Sequence, residues 1–175
     1  AHGFIYPAMA DYDPNVAEHS YSFFDLAKAR DYLRQAEQIN GGPIGRLRLA
    51  VGGTDTTYKQ IAQFHQRNIQ ELGLEVDIEL FDWPTFLEKM RKNQLQLMGG
   101  TGWMADYPDT ESFLQVFYSK NASWPNSSNY SNPEFDKIYE QTSVMPDCPE
   151  RAKLYRQAER IVMDDMPVAF IYHRI

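Results

Sequence analysis

Two hydrophobic periods alternate through the first half of the chain. From Asp25 onward, Leu26, Ala29, Leu33 and Ala36 recur at helical spacing; Asp25 stands at the N-cap position and Gly41-Gly42-Pro43 at the stop, which predicts a helix between them. Leu47, Leu49 and Val51 then alternate with Arg46, Arg48 and Ala50 as far as Gly52-Gly53, the period of a strand. Ile61, Phe64, Ile69 and Leu72 return to helical spacing, closed by Gly73 as a left-handed cap. Val76, Ile78 and Leu80 alternate again, now with Glu75, Asp77 and Glu79, so this strand has one polar face. Strand, helix and strand within about 35 residues make a βαβ unit, whose crossover is right-handed and whose strands are parallel.

The pattern continues with Asp82 capping a helix that carries Phe86, Leu87 and Met90, followed by a third short strand at Leu95-Gln96-Leu97-Met98. That strand delivers the chain to Gly99–Phe117, GGTGWMADYPDTESFLQVF, a run dense in small residues, aromatics and carboxylates. Ligands of open α/β sheets sit outside the carboxyl ends of the strands, so the loop from Thr101 to Asp109 is placed for recognition. Beyond it, Phe113, Leu114 and Phe117 mark a helix face starting near Pro108-Asp109, and Lys120 to Ser131 is Asn-, Ser- and Pro-rich loop. Asn132-Pro133-Glu134 opens a helix with Phe135, Ile138 and Tyr139 on one face. Asp147 with Glu150 resembles a capping box for a last helix bearing Leu154, Ala158, Ile161 and Val162, and Pro167 leads into a final strand, Val168-Ala169-Phe170-Ile171-Tyr172. The expected fold is α/β, with a mixed, largely parallel sheet flanked by helices. Residues 1–24, turn-rich and without a sustained period, form an irregular lead-in to a core over 25–175.

Composition narrows the partners. The chain has 175 residues, 43% apolar and 14% aromatic, enough to bury a core in one fairly large domain. A net charge of −7 opposes a polyphosphate partner, so no nucleic acid is expected. The single cysteine, Cys148, forbids an internal disulfide and reads as a small half-buried residue beside a helix start. No apolar run spans a bilayer and no basic-then-apolar leader opens the chain, which suits a soluble intracellular protein or the mature part of an exported one. The start at Ala1-His2-Gly3 and the stop just after a strand-like run lead to the expectation of a domain cut from a longer chain.

Phosphate loops, dinucleotide fingerprints, His-x-x-x-His pairs and serine elbows are missing from the sequence; Gly99-Gly100-Thr101-Gly102 lacks the Gly-Lys that a phosphate loop needs. His65 reads as a boundary histidine packed against the sheet, and His2, His19 and His173 are dispersed, so no metal is expected. Sequons at Asn121 and Asn126 are of the kind that Asn/Ser-rich loops produce by chance.

Three carboxylates remain: Asp106, Asp109 and Glu111. As a pair they could serve glycoside hydrolysis, with Asp106 working beside Asp109 or Glu111. Asp109, however, follows Pro108 at a helix start where capping accounts for it, and Glu111 suits the first-turn dipole. Asp106 has two readings: an Asx-turn residue holding the loop, or a carboxylate pairing with a cationic ligand group between Trp103 and Tyr107. A lone carboxylate with aromatic walls and no base or nucleophile describes binding rather than catalysis.

The ordered blocks resemble a known family. Phe24-Asp25-Leu26-Ala27-Lys28-Ala29-Arg30 with Leu33, then Ile69 to Val76, Asp82-Trp83-Pro84-Thr85-Phe86, Gly102-Trp103-Met104-Ala105-Asp106-Tyr107-Pro108-Asp109 and Asn129 to Asp136 follow in the order seen in the C-terminal lobe of the family 5 extracellular solute-binding proteins, which include oligopeptide and dipeptide receptors of ABC importers. Arg151-x-x-Leu154-Tyr155 and Ala158-Glu159 before Asp165-x-Pro167 complete the likeness, and Thr110 departs from it where many relatives carry Pro. The resemblance implies a type II periplasmic-binding-protein lobe, non-enzymatic and without a cofactor, working with an N-terminal lobe of the same parent chain and with membrane permease subunits. It implies a periplasmic or membrane-anchored extracellular location, and closure of two lobes on the ligand. In peptide-binding members the matching Asp pairs with the ligand's α-ammonium group beside the Trp, which here are Asp106 and Trp103, with Tyr107 as a further candidate. Other members carry nickel complexes or oligosaccharides, and a similar lobe serves ligand sensing in some regulators.

Overall fold

A computed structural model describes residues 3–16 and 24–173. Its elements are α1 (Leu26–Asn40), β1 (Leu47–Val51), α2 (Thr56–Gln70), β2 (Val76–Leu80), α3 (Trp83–Arg91), β3 (Leu97–Gly99), α4 (Glu111–Leu114), α5 (Pro133–Thr142) and α6 (Pro149–Asp165). They fall into two compact units: 24–102, and 103–175 with 1–23.

The first unit is the βαβ pattern realised. Its three strands are parallel in the order β2-β1-β3, with Leu49 opposite both Ile78 and Leu97. Because strand side chains alternate between faces, β1 covers two small cores. Leu49 and Val51 meet Ala62 of α2 and Val76, while Ala50 lies under Phe86 and Met90 of α3. Ala50 therefore belongs to the buried β1 run, and a strand covered on both faces is what a parallel sheet requires.

Local signals set the helix ends. The Asp25, Asp55 and Asp82 side chains each accept a first-turn N–H, and Gly41 closes α1 at φ 76°, a left-handed conformation open to glycine.

The second unit is helical. Among its described residues no strand forms, so the sheet is wholly parallel rather than mixed, and Val168–Tyr172 runs without a ladder. The alternation there has another cause: Phe170 turns into an aromatic group around Phe117, 6.2 Å from its ring and 5.8 Å from Phe4, while Ile171 and Tyr172 stay exposed. Phe135, Ile138, Tyr155, Ala158 and Val162 bring α5 and α6 into the same core.

The segment from Gly3 to Ile5 is fastened by Glu159, which is 1% exposed and accepts the Phe4 and Ile5 N–H groups, each at 3.2 Å. Gly3 permits this approach, since a Cβ there would stand 2.4 Å from Glu159 Oε1. Burial pushes the Glu159 carboxyl up to about 7 despite those two donors.

Three further expectations are corrected. The third strand begins two residues later, at Leu97. The helix after Pro108 is only one turn, Glu111–Leu114, continued by a 3-10 turn over Gln115–Phe117. Cys148, half-buried, stands at the N-cap of α6 without a side-chain bond, so the Asp147–Glu150 capping box does not form; Asp147 reaches Arg151 instead. No helix among the described residues is long and apolar enough to cross a membrane.

Candidate ligand-binding site

The loop carrying the candidate residues is held by side chains on the elements that follow it. Asp106 donates its N–H to Ser112 Oγ at 3.0 Å, and Ser112 is itself fully buried on α4. Asp109 N–H donates to Tyr107 O at 2.8 Å, and Asp109 Oδ1 accepts the Glu111 N–H at 2.8 Å. The turn is thus fixed at both ends of Tyr107-Pro108.

Asp109 does more than cap. Its Oδ2 accepts from Arg151 Nη1 at 2.7 Å, and its Oδ1 from Arg151 Nη2 at 3.3 Å and from the Tyr155 hydroxyl at 3.0 Å. Arg151 also donates to Asp147 at 2.6 Å and to Thr142 O at 3.0 Å, and its guanidinium lies 4.8 Å from the Tyr155 ring centre. Burial would raise the Asp109 carboxyl, but the Glu111 N–H, Arg151 and Tyr155 outweigh it and hold the group below the usual carboxylate range. A carboxylate so held is no general acid.

Glu111 is likewise engaged: the Tyr107 and Tyr139 hydroxyls donate to its two oxygens. Burial, reinforced by that bond, raises the Tyr139 hydroxyl above its ordinary value. The glycosidase reading therefore loses both of its second carboxylates.

Asp106 is different. It is exposed, and its carboxylate has no hydrogen-bond or ion-pair partner among the described residues, so the Asx-turn reading does not hold either. Trp103 is half-buried, with its ring edge-on to Trp124 at 5.9 Å and 60°. Its indole N–H is buried without an acceptor, a deficit worth about 1–3 kcal/mol that native folds seldom carry. Tyr107 is 44% exposed, so its ring stays accessible while its hydroxyl is held by Glu111.

Several other expectations can be located. Thr110, buried, donates to Asp11 Oδ2 at 2.9 Å, a bond that proline could not make. His65 is half-buried beside Phe64, as a boundary histidine would be; His173 Nε2 lies 3.0 Å from Gly3 O, and His2 and His19 fall outside the described residues. No group of three metal-ligating side chains forms among the described residues. Asn126, inside a sequon, is fully buried with both side-chain atoms bonded, which leaves no place for a glycan. A recess of about 390 Å³ opens beside Asp109 and Asp147 without Asp106 in its lining, and the Arg151 charge lining it is already matched by those carboxylates.

Sequence reasoning used Arg151 and Glu159 only in the family likeness, read Asn126 only as a chance sequon, and passed over Trp124 as plain loop. Arg151, standing at the third position of α6, offered no local signal, since its partner Asp109 lies 42 residues away.

Comparison with known proteins follows the same lines. A family model described as bacterial extracellular solute-binding proteins, family 5 Middle, matches residues 1–125. The oligopeptide-binding protein OppA of Bacillus subtilis is 31% identical over 177 residues, covering 95% of this chain and 32% of that protein. Among solved structures, the ABC transporter-associated periplasmic binding protein DppA of Helicobacter pylori, in complex with the peptide STSA, superposes with a TM-score of 0.80 at 27% identity over 94% of this chain and 31% of that one. A periplasmic oligopeptide-binding protein of Borrelia burgdorferi, OppAIV, gives 0.81 at 27% identity over 97% and 33%. The chain therefore spans about a third of the length of these relatives, which are solute-binding proteins and not enzymes. The chain belongs to the family 5 bacterial extracellular solute-binding proteins, with the α/β lobe of the periplasmic peptide-binding structures.

Proposed function

We propose that this chain is the C-terminal ligand-binding lobe of an ABC importer's solute receptor and captures short peptides through their free α-ammonium group. The observation that carries the reading is the division of labour among three neighbouring acids. Asp109 is held by Arg151 and Tyr155, Glu111 by two tyrosines, and Asp106 alone presents an exposed, unpaired carboxylate. An ammonium ion meeting that carboxylate gains a charge-assisted hydrogen bond of about 1.5–3 kcal/mol, roughly 10- to 150-fold in affinity. Trp103 and Tyr107 stand on either side of Asp106 in the loop and supply aromatic surface for the first residues of the ligand. Peptide binding by several relatives supports the choice of ligand. The complete receptor would add an N-terminal lobe, close on the peptide, and hand it to membrane permease subunits from the periplasmic or extracellular side. No cofactor takes part.

The test is calorimetric titration of the full-length protein with Ala-Ala-Ala and with its N-acetylated form. Asp106→Asn and N-acetylation should each weaken binding about 10- to 150-fold, and together no further, because both remove one ion pair. Equal affinity of the wild type for both peptides would overturn the anchor.

A further inference from the structure

We infer that Trp124 is a specificity-determining residue of the same site and selects peptides with an apolar or aromatic side chain at the first or second residue. The inference rests on Asp106 as the ammonium anchor.

Trp124 is 46% exposed, although its loop is tightly held. Asn126, fully buried, donates to Tyr118 O at 3.0 Å and Tyr130 O at 2.8 Å, and accepts from Tyr130 N–H at 3.1 Å and Ser128 Oγ at 3.0 Å. Asn129 Oδ1 takes the Ser123 N–H at 3.0 Å, fixing that residue at φ 72°, and Asn121 donates to Gln115 O at 3.0 Å. Ser123 and Asn126 bracket Trp124-Pro125, so the indole stands on a rigid platform rather than a loose tip. A preorganised aromatic surface binds without the entropy cost of ordering it.

Position supplies the occupant. Trp124 meets Trp103 at 5.9 Å, ring to ring, and Trp103 lies three residues before Asp106. Three trans peptide steps span at most about 11 Å, while an extended ligand advances roughly 3.4 Å per residue. A peptide whose ammonium group sits on Asp106 therefore brings its first residues within reach of the tryptophan pair. Met104, 77% exposed in the same loop, extends the apolar surface, and a soft thioether adapts to varied side chains.

The test compares Ala-Ala-Ala, Phe-Ala-Ala, Ala-Phe-Ala and Lys-Ala-Ala by calorimetry on the full-length protein, in the wild type and in Trp124→Ala, Trp124→Phe and Asp106→Asn. The wild type should bind at least one phenylalanine peptide about tenfold tighter than Ala-Ala-Ala. Trp124→Ala should erase that preference to within about twofold while moving Ala-Ala-Ala less than about threefold, and Trp124→Phe should restore part of it. A preference that survives Trp124→Ala, no preference in the wild type, or a stronger gain for Lys-Ala-Ala would overturn the inference. Loss of all four peptides alike in Asp106→Asn upholds the anchor whatever Trp124 does, and equal binding by that variant overturns the anchor and, with it, the inference.

Discussion

Replacing Glu159 by glutamine tests whether the buried carboxyl that fastens Gly3–Ile5 carries a pH-dependent cost. In the folded state burial pushes its pKa up to about 7, from an ordinary value of 4.5, while the Phe4 and Ile5 N–H groups pull the other way. Below pH 4.5 the group is protonated whether the chain is folded or unfolded, and its contribution to stability is fully present. Between 4.5 and about 7 the unfolded chain releases the proton and the folded one keeps it, so stability falls as pH rises. Above about 7 the loss is complete and constant. At ~1.4 kcal/mol per pH unit, the interval is worth ~3 kcal/mol. Glutamine keeps the oxygen that accepts both N–H groups and removes the titration, although its amide hydrogens add a cost of their own. The informative quantity is therefore the difference between two pH values, in which that constant cost cancels. Urea unfolding followed by circular dichroism at pH 4.5 and pH 8 should show the wild type losing ~3 kcal/mol more than Glu159→Gln between them. An equal loss in both proteins would refute the reasoning, and so would a wild type that gains stability relative to the variant as pH rises.

Arg151→Met leaves the partly buried Asp109 carboxylate without its cation; its 28% exposure discounts the usual cost of a broken buried pair to ~2–3 kcal/mol, with Arg151→Lys losing less because one of the two Asp109 bonds survives. Chemical denaturation reads both, and wild-type stability in the methionine variant would show that the Arg151 pairing is not what holds the turn. Asn126→Ala removes four hydrogen bonds and strands the Tyr118 and Tyr130 carbonyls, at ~2–4 kcal/mol by the same assay. A loss below ~1 kcal/mol would mean that solvent reaches those groups.

Much of the fold was legible because it is local. Asp25 and Asp82 cap the helices that follow them, Gly41 ends α1, and the spacing of Leu47 to Leu80 predicts the parallel βαβ unit; α2, however, stops at Gln70 with Glu71 as its cap, three residues short of the left-handed Gly73. Misreadings arose where one local pattern serves two tertiary outcomes. The alternation at Val168–Tyr172 suits a strand, yet a strand needs a partner edge, and what Phe170 finds is Phe4 and Phe117. Asp147 and Glu150 have capping-box spacing, but Arg151 stands next to that box and offers Asp147 a charged partner, stronger than a backbone N–H.

The candidate site was legible for a related reason. Elimination works on carboxylates because each local task leaves a mark: a preceding proline for Asp109, a first helical turn for Glu111. Both residues proved to be engaged, and more heavily than the marks implied, through Arg151, Tyr155 and Tyr139 far along the chain. Asp106 carries no such mark, and its backbone rather than its carboxylate is what Ser112 holds. The aromatic side of the site follows the opposite rule. Trp124 lies in a run of asparagines and serines that reads as loop, and only the bonds from Asn126 to Tyr118 and Tyr130 turn that run into a fixed support. A candidate for the charge of such a site is thus found by asking which acid has nothing local to do, whereas a candidate for its shape is found only when the contacts that close a loop are seen.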